Sequence, residues 1–455
     1  MARAGAARGE IQMTEGSLWK NILLFSIPLV FSQLLQVMFN MADVAVVGKF
    51  ASDTALGSVG STSTLVTLFT GFLIGMGNGV NVRVAQHLGA QHREETSRAV
   101  HTAFLLCLLA GVGIMALCLA LAANMLEMLH TKDDLLPGAV LYFRIYALGM
   151  PALGIFNFGN AVLSANGDTK RPLLYLTIAG ILNMILNLFF VIVCKMAADG
   201  VALASVISQY VSAILVVWHM MRLNDACKFY FQRLRFHGDE VGRILGLGVP
   251  AGIQHMIFAI ANLFIQAAVN SFDSTMVSGN AAAANTDTII YNIMMAFYTA
   301  CSTFMGQNWG AGHKKRMMDS YLISLFYAFA VAAVLGVAFY FAGRPFLYVF
   351  TNSADVVEAG MQRMKIMCFS YAISAFMDNT IAACRGLGRT IVPTVVVIMG
   401  SCVFRVIWVY TIFAHYHTIP SLYLLYAFSW TITAAAEIAY FLRCFRKLRL
   451  VPETA

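Results

Sequence analysis

Hydrophobic positions run in long stretches along the whole chain, and polar positions gather in the gaps between them. Most stretches exceed about 20 residues, the length that an α-helix needs to cross the hydrocarbon core of a bilayer. Backbone groups inside lipid must pair within their own segment, so each stretch predicts a membrane-spanning helix. A membrane β-barrel would show short segments of alternating polarity, and that pattern is not evident.

The pattern predicts an all-α polytopic membrane protein with two lobes of six helices. We expect a cytoplasmic arm over 1–19, an N-lobe over 20–221, a linker over 222–242, a C-lobe over 243–443 and a cytoplasmic tail over 444–455. The twelve spans lie near 20–47, 55–81, 98–123, 137–164, 172–195, 200–221, 243–270, 276–303, 318–343, 357–384, 392–414 and 420–442.

The two sets of spans align with each other, which indicates an internal repeat. One shift of the sequence places Pro28 on Pro250 and Asn40 on Asn262. A shift shorter by one residue places QHLGA (86–90) on QNWGA (307–311). Because six spans is an even number, both sets have the same orientation. The repeat is therefore parallel, with a pseudo-two-fold axis along the membrane normal, as in some secondary transporters.

Composition supports the membrane assignment, and the charge distribution adds an orientation. The chain is 59% hydrophobic and 11% charged, whereas soluble domains carry roughly 25% charged residues. Basic residues are about three times as frequent in the segments on the same side of the membrane as the N-terminus as in those on the other side. This excess predicts a multi-pass protein of the plasma (inner) membrane with both termini cytoplasmic. The net charge of +8 is thus an orientation signal, and we expect no nucleic-acid partner.

Motifs of known chemistry are not evident in the spans. The nine cysteines have no metal-ligand spacing. No HExxH, GxSxG or nucleophile–base arrangement occurs within the spans. We therefore expect neither an enzyme nor a cofactor.

Two pairs of short motifs fall at equivalent places in the halves. QxxGA lies between the second and third span of each half, and NGDTKRPL (166–173) and GLGRTIVP (386–393) lie between the fourth and fifth. Over residues 14–450 the chain resembles the MATE family of multidrug and toxin extrusion transporters, in its DinF/MepA-like bacterial group. The resemblance implies two bundles in a V around a central cavity. It also implies export of organic, often cationic and amphipathic compounds in exchange for H⁺ or Na⁺, by alternating access.

Two other classes of function stay open. A lipid-linked precursor flippase would have a related two-lobed fold, but with more helices and a basic cavity. A channel would also span the membrane, although repeated halves with interior acids favour alternating access. As partners we expect small organic cations or amphipathic drugs and membrane lipid, and we expect the chain to act as a monomer.

Polar residues form a stripe on the first span. Gln33, Gln36, Asn40 and Asp43 are spaced by three, four and three residues, so they share one helix face. Such a face must contact protein or water rather than lipid, and hydrogen bonds between helices are the alternative to a cavity. The residues expected to line the substrate cavity are Gln33, Gln36, Asn40, Asn157, His255, Asn262, Gln266 and Arg405.

Asp43 carries the first coupling hypothesis. A charge inside a bilayer costs several kcal/mol unless it is paired, hydrated or protonated. The resemblance implies that an acid at this point of the first span takes part in cation coupling. The alternative is a structural carboxylate that neighbouring amides hold in place.

The resemblance also implies a sodium site in this half for some family members, with a second aspartate in the fifth span. Asn183 matches the asparagine of that site, Asn187 stands in place of the aspartate, and Ser205 would be the hydroxyl. An amide oxygen still suits a hard cation, but the site has lost one negative charge. We therefore favour H⁺ as the coupling ion, with Na⁺ at Asp43, Asn183 and Asn187 as the alternative.

The second half has an acid of its own, Asp378, on a span that does not correspond to the span of Asp43. In the NorM-type branch of the family, an aspartate of the tenth span works with a glutamate of the seventh, but the seventh span here has no acid. Asp378 is a candidate for cation coupling or for holding a cationic substrate. The alternative is an ion pair with Arg405, which would be costly to break on one side. Of the remaining acids, we expect Glu437 near the inner interface, where it reaches Arg443 or lipid headgroups, and Asp287 is a candidate for lining an outer vestibule.

Overall fold

The structure is a computed structural model that describes residues 11–448. Within this range helices are the dominant secondary structure, joined by turns and irregular connections, and no strand is formed. The helices are α1 (Leu18–Phe50), α2 (Asp53–Gly89), α3 (Arg93–Met128), α4 (Leu136–Ala147), α5 (Met150–Ala165), α6 (Lys170–Leu188), α7 (Ala198–Met221), α8 (Gly238–Val269), α9 (Ser274–Gly310), α10 (Lys314–Leu347), α11 (Ala354–Gly386), α12 (Ile391–Val397), α13 (Phe404–Trp408), α14 (Ala414–Tyr416) and α15 (Ile419–Arg446).

Eleven helical segments among the described residues are long and apolar enough to cross a membrane, and a bent pair brings the number to twelve. The predicted all-α polytopic fold is thereby confirmed. The bent pair is α4 and α5, which meet at 44° where the sequence predicts one span over 137–164. Pro151 lies in the first turn of α5, a position that tolerates a proline because its missing N–H is not needed there.

Two segments depart from regular α-helix: the end of α6 and the span that the sequence predicts over 392–414. A π-helical segment, Phe189–Val193, continues α6. Two more, Ile398–Val403 and Val409–Phe413, flank the short helix α13. π-Helical segments are rare in proteins, and those that occur are often found at functional sites. The residues around α13 are therefore candidates for a functional role.

The described residues divide into two compact units. The first unit comprises Ile11 and Phe31–Met256, and the second comprises Gln12–Val30 and 257–448. These units differ from the lobes expected over 20–221 and 243–443, because α1 and α8 each contribute residues to both. The role of the lobes as functional halves stays a prediction.

Glycines fix the packing of α8 within the first unit. Gly75 and Gly79 of α2 lie against Gly252 and Gly248 of α8, and a Cβ on either α2 glycine would collide with the backbone of α8. Small residues spaced by four let two helices approach closely inside a membrane, where apolar burial gives little drive for association. The contact sets the position of the N-terminal half of α8 beside α2.

The second unit packs α9, α10 and α15 around α11. Its core holds large buried side chains, including Phe304, Tyr423 and Phe441. Gly279 of α9 and Gly360 of α11 touch through their backbones, so neither position has room for a Cβ. The unit thus surrounds α11, the helix that carries Asp378, with neighbours on several sides.

Candidate functional site

The first unit brings Asp43 together with polar residues of α6 and α7. Asn187 donates one side-chain N–H to Asp43 Oδ1 at 2.5 Å and another to Asn183 Oδ1 at 3.1 Å. Ser205 Oγ lies 3.5 Å from Asp43 Oδ2 and accepts a hydrogen bond from Asn183 Nδ2 at 3.3 Å. The four residues predicted for cation coupling in this half therefore form one cluster, which we call the Asp43 cage.

The cage is oxygen-rich and largely closed. Asn183, Asn187 and Ser205 are buried, and Asp43 is half-buried. Asn187 Oδ1 is also buried, and it accepts no hydrogen bond from the described residues. A buried carbonyl oxygen without a donor is costly, by about 1–3 kcal/mol. Together with the carboxylate, it suits a hard cation that prefers oxygen ligands.

No basic side chain neutralises Asp43 within residues 11–448, since its hydrogen bonds come from Asn187 and Ser205 alone. Tyr142 and Tyr146 of α4 are close enough to interact electrostatically with the carboxylate. Their rings stack with centroids 6.0 Å apart. The sequence analysis missed both tyrosines, although their spacing of four residues already places them on one helix face.

The rest of the polar stripe on α1 is open. Gln36 and Asn40 are exposed, Gln33 is half-buried, and none of the three side chains forms a hydrogen bond within the described residues. The alternative expected for these amides, hydrogen bonding between helices, is not observed for them. Asn157 is different, because it donates to the carbonyl of Leu153 in its own helix at 3.0 Å.

The polar residues expected along the seventh span do not form one cluster. His255 belongs to the first unit, where its Cβ lies beside Gly71 of α2. Asn262 and Gln266 belong to the second unit and are exposed. Gln266 donates to Asn270 Oδ1 one turn further along α8, at 2.9 Å.

Arg405 is enclosed in the second unit by aromatic rings. Its side chain projects from α13 and is 3% exposed. The guanidinium carbon lies 4.4 Å from the ring centre of Tyr426 and 5.6 Å from those of Phe258 and Trp430. The guanidinium forms no hydrogen bond with another described residue, and its Nε is buried without a partner.

Asp378 of α11 does not form the ion pair with Arg405 that was the alternative to a role in coupling or substrate binding. No Arg405 nitrogen lies within 4.0 Å of its carboxylate, and the half-buried side chain forms no hydrogen bond in the described part of the chain. The two charges interact only at longer range. The physical reason is that the guanidinium stacks among the three rings instead of reaching α11.

A second arginine of this unit is fully paired. Arg363 Nε donates to Asp287 Oδ2 at 3.1 Å, and its Nη2 donates to the same oxygen. Its Nη1 donates to Asn280 Oδ1 at 2.7 Å and to the hydroxyl of Tyr423 at 3.3 Å. Asp287 is thus the partner of a buried arginine, a role that the sequence analysis did not assign to it.

Glu437 reaches neither Arg443 nor the surface of the structure, so the expected contact with Arg443 or lipid headgroups is wrong. Its side chain is fully buried in α15, and both carboxylate oxygens are without a hydrogen-bond partner among residues 11–448. Arg385 of α11 is the charged group that interacts with it electrostatically. The sequence did carry a signal, because Glu437 shares the buried helix face of Trp430, Thr433 and Phe441.

Curated relatives cover most of the chain. A protein of Bacillus subtilis described as a probable multidrug resistance protein, YpnP, is 29% identical over 79% of this chain and 80% of its own length. The multidrug export protein MepA of Staphylococcus saprophyticus is 19% identical over 87% of this chain and 88% of its own.

Solved structures have the same fold. A MOP superfamily transporter from Pyrococcus furiosus Vc1 superimposes with a TM-score of 0.90 at 20% identity, covering 97% of this chain and 99% of its own. The multi-pass helical architecture is therefore that of known membrane transporters.

The MatE family model matches the chain twice, over residues 28–189 and 250–411. The two matches begin at Pro28 and Pro250, the prolines that the internal repeat places on each other. They also have the same length, as two copies of one repeat require. Together the matches cover well over half of the sequence, and the chain belongs to the MatE family of multidrug and toxin extrusion transporters.

Proposed function

We propose that the chain is a secondary active antiporter that exports organic, often cationic and amphipathic compounds in exchange for a cation bound at Asp43. The observation that carries this proposal is the Asp43 cage, a carboxylate inside the spans whose partners are all uncharged. Family membership and the descriptions of the curated relatives as multidrug resistance or export proteins support efflux of drug-like compounds.

The cage explains how a cation could drive transport. A buried carboxylate without a resident countercharge is unfavourable, and a bound proton or metal cation removes that cost. Arg363 shows the opposite case, because its countercharge belongs to the chain and cannot leave. Asp43 can therefore alternate between neutralised and charged states as alternating access opens the site to each side.

H⁺ is the coupling ion that we propose first. The cage holds one carboxylate, which suits one proton in each transport cycle. One proton entering for one monovalent organic cation leaving moves no net charge. Such an exchange responds to the pH gradient alone, although one net charge crossing 100 mV would contribute ~2.3 kcal/mol.

Na⁺ is the second candidate, and one observation favours it. Asn187 Oδ1 is buried and accepts no hydrogen bond within residues 11–448. Asn187 directs its N–H toward Asp43 in this structure, so a rotation of the amide would be needed for this oxygen, Asp43 and the Ser205 hydroxyl to offer ligands from three helices. The residues present thus fit a small hard cation, although one carboxylate binds it less tightly than two.

We further propose that the chain acts as a monomer in the plasma (inner) membrane with both termini in the cytoplasm. The excess of basic residues on that side supports the orientation. A flippase for lipid-linked precursors would need several basic groups for its pyrophosphate, whereas the residues expected to line the cavity are acidic or neutral apart from Arg405. A channel would give currents far above the turnover rate of a transporter.

The test is transport of ethidium into proteoliposomes under a pH gradient or a sodium gradient, imposed separately. Wild type, Asp43→Asn and a control, Asp134→Asn, are compared. Asp134 is an exposed acid between α3 and α4. We expect proton-driven transport in wild type and control, and its near-complete loss in Asp43→Asn. Full activity of Asp43→Asn would contradict the proposal, and transport driven by sodium alone would replace H⁺ with Na⁺.

A further inference from the structure

The linker between α7 and α8 carries basic and aromatic residues that the proposed transport does not use. Residues 226–237, which we call the linker segment, read ACKFYFQRLRFH. They include three lysine or arginine residues and four phenylalanine or tyrosine residues, but no aspartate or glutamate. The segment belongs to the first unit and lies outside the predicted spans. A connection that only joins two helices in water would need neither the rings nor the excess of positive charge.

The backbone of the linker segment is held against the helices of the first unit. Phe229 N–H donates to the carbonyl of Met220 at the end of α7, at 3.1 Å. Tyr230 N–H donates to Nε2 of His101 on α3, at 3.0 Å. The ring of Phe229 stacks on the imidazole of His101, with centroids 5.3 Å apart. These contacts fix the path of the segment, so its outward side chains form a defined surface.

Most aromatic rings of this region are exposed rather than packed in the core. Phe229 is buried, whereas Tyr230, Phe231 and Phe236 are 37%, 55% and 48% exposed. Trp218, near the end of α7, is 48% exposed. A patch of exposed apolar groups marks contact with a membrane or a partner protein. Tyrosine and tryptophan are enriched at the surface of a bilayer, because their rings are apolar at one end and polar at the other.

Three basic side chains lie over these exposed rings. The guanidinium carbon of Arg222 is 3.8 Å from the ring centre of Trp218. Lys228 Nζ and the guanidinium carbon of Arg233 lie 5.4 Å and 4.9 Å from the ring centre of Tyr230. None of the three cations has a carboxylate oxygen within 4.0 Å among the described residues. Their charges are therefore available to an external anion.

The acids that flank the linker segment do not cancel these charges. Asp225 accepts a hydrogen bond from Asn166 Nδ2 at 2.8 Å. Glu240 is buried and accepts two hydrogen bonds from Arg83, each at 2.7 Å. Only Asp239 is an exposed acid next to the segment. The surface formed by the segment and the end of α7 is therefore cationic and aromatic at once.

We propose that the linker segment, with Trp218 and Arg222, is a docking surface for anionic phospholipid headgroups. The basic side chains bind the lipid phosphates, a group that a guanidinium suits because it donates paired hydrogen bonds. The exposed rings enter the boundary between headgroups and acyl chains, as they do in other peripheral membrane contacts. The segment joins two spans on the side predicted to be cytoplasmic, so the lipid comes from the inner leaflet. This position beside the bilayer favours lipid over an acidic protein.

The test measures hydrogen–deuterium exchange of the backbone amides over 226–237 in the full-length protein. Nanodiscs contain phosphatidylcholine alone, or phosphatidylcholine and phosphatidylglycerol in equal amounts. The variant replaces the three basic residues of the segment: Lys228→Gln, Arg233→Gln and Arg235→Gln. A matched control removes the same charge from three exposed residues at the end of α15: Arg443→Gln, Arg446→Gln and Lys447→Gln.

We expect phosphatidylglycerol to slow the exchange of the segment in wild type and control by about fivefold or more, since one basic residue at an anionic surface contributes about fivefold to binding. The variant should exchange at the same rate in both lipids. Equal exchange of wild type in the two lipids would overturn the proposal and leave an acidic protein as the partner of this surface. A variant that is still slowed by phosphatidylglycerol would also overturn it.

A second measurement needs no variant, so it holds even if the triple substitution prevents folding. Salt screens the attraction between exposed basic groups and anionic headgroups. Raising the salt concentration should therefore bring the exchange of wild type in phosphatidylglycerol close to its rate in phosphatidylcholine. A slowing that does not respond to salt would show that charge does not hold the segment at the lipid, and it would overturn the proposal.

Discussion

The two units hold their buried carboxylates in opposite ways. Asp43 in the first unit is surrounded by amides and a hydroxyl that donate hydrogen bonds but carry no charge. Asp378 in the second unit has no hydrogen-bonding side chain among the described residues, and its nearest countercharge, Arg405, stacks among aromatic rings. The two halves repeat the same order of helices, but their charged residues occupy different positions.

The difference indicates what kind of group can neutralise each buried charge. Uncharged donors leave Asp43 free to be neutralised by a proton or a small cation, which is what coupling requires. Asp378, in contrast, has no hydrogen-bond donor among the described residues, and it stays a candidate for cation coupling or for holding a cationic substrate. The Arg363–Asp287 pair is the third case, where the chain supplies both partners and the role is structural.

The largest effect is expected from comparing the two buried arginines of the second unit. Arg363→Met should lower the free energy of unfolding by about 3–5 kcal/mol, because it leaves Asp287 buried without its partner. Arg405→Met should cost less than about 1 kcal/mol, because no chain carboxylate loses a partner. Thermal unfolding of both variants in detergent measures this. Equal destabilisation would mean that Arg405 is also structural.

A second carboxylate in the Asp43 cage should change the preferred coupling ion from H⁺ to Na⁺. Asn187→Asp places a carboxylate beside Asp43 and should raise the affinity for Na⁺ about tenfold or more, since a unit charge at 4 Å contributes about 1–4 kcal/mol. Sodium-driven ethidium transport reports the change. Asn124→Asp, at an exposed position of α3, is the control and should leave ion preference unchanged. No gain in sodium response would argue against cation binding in the cage.

A smaller effect is expected at the hydroxyl of the cage. Ser205→Ala removes a long hydrogen bond to Asp43, and a neutral hydrogen bond contributes about 0.5–1.5 kcal/mol. Coupled transport should fall roughly two- to tenfold. Ser212→Ala on the same helix serves as control, because Ser212 bonds only to the carbonyl of Gln209. Equal losses in both variants would show that the effect comes from α7 and not from the cage.

The smallest effect is expected at the exposed Arg344–Glu358 pair. Both side chains are more than half exposed, and exposed pairs contribute about 0–1 kcal/mol. Arg344→Gln should therefore leave the unfolding temperature and ethidium transport close to wild type. A large loss of stability would show that exposure does not separate structural from dispensable charges in this unit.

Much of the fold and one site could be predicted from the sequence. The length of the apolar runs predicted the helices, because backbone groups in lipid must form hydrogen bonds within their own segment. Asn183 and Asn187 are one helical turn apart, so their spacing alone places them on one helix face. Asp43 could be identified as a candidate because a carboxylate inside a span is energetically costly and usually has a function. The resemblance then joined these residues to Ser205.

The rest depended on contacts between residues distant in the sequence. Asp287 and Arg363 are 76 positions apart, and no periodic pattern links an acid on α9 to an arginine on α11. The aromatic surroundings of Arg405 likewise come from two helices distant in the sequence, α8 and α15, and the alternative role of Asp378, an ion pair with Arg405, is not observed. The break between α4 and α5 was missed because hydropathy does not register a bend.

Proton release on substrate binding tests the central claim most directly, that the proton bound at Asp43 is exchanged for the substrate. Purified protein in weakly buffered, sodium-free solution is saturated with ethidium while a pH indicator records released protons. The account predicts that wild type and Asp134→Asn release a proton for each bound ethidium and that Asp43→Asn releases none. Release from Asp43→Asn, or its loss in Asp134→Asn at saturating ethidium, would contradict the account.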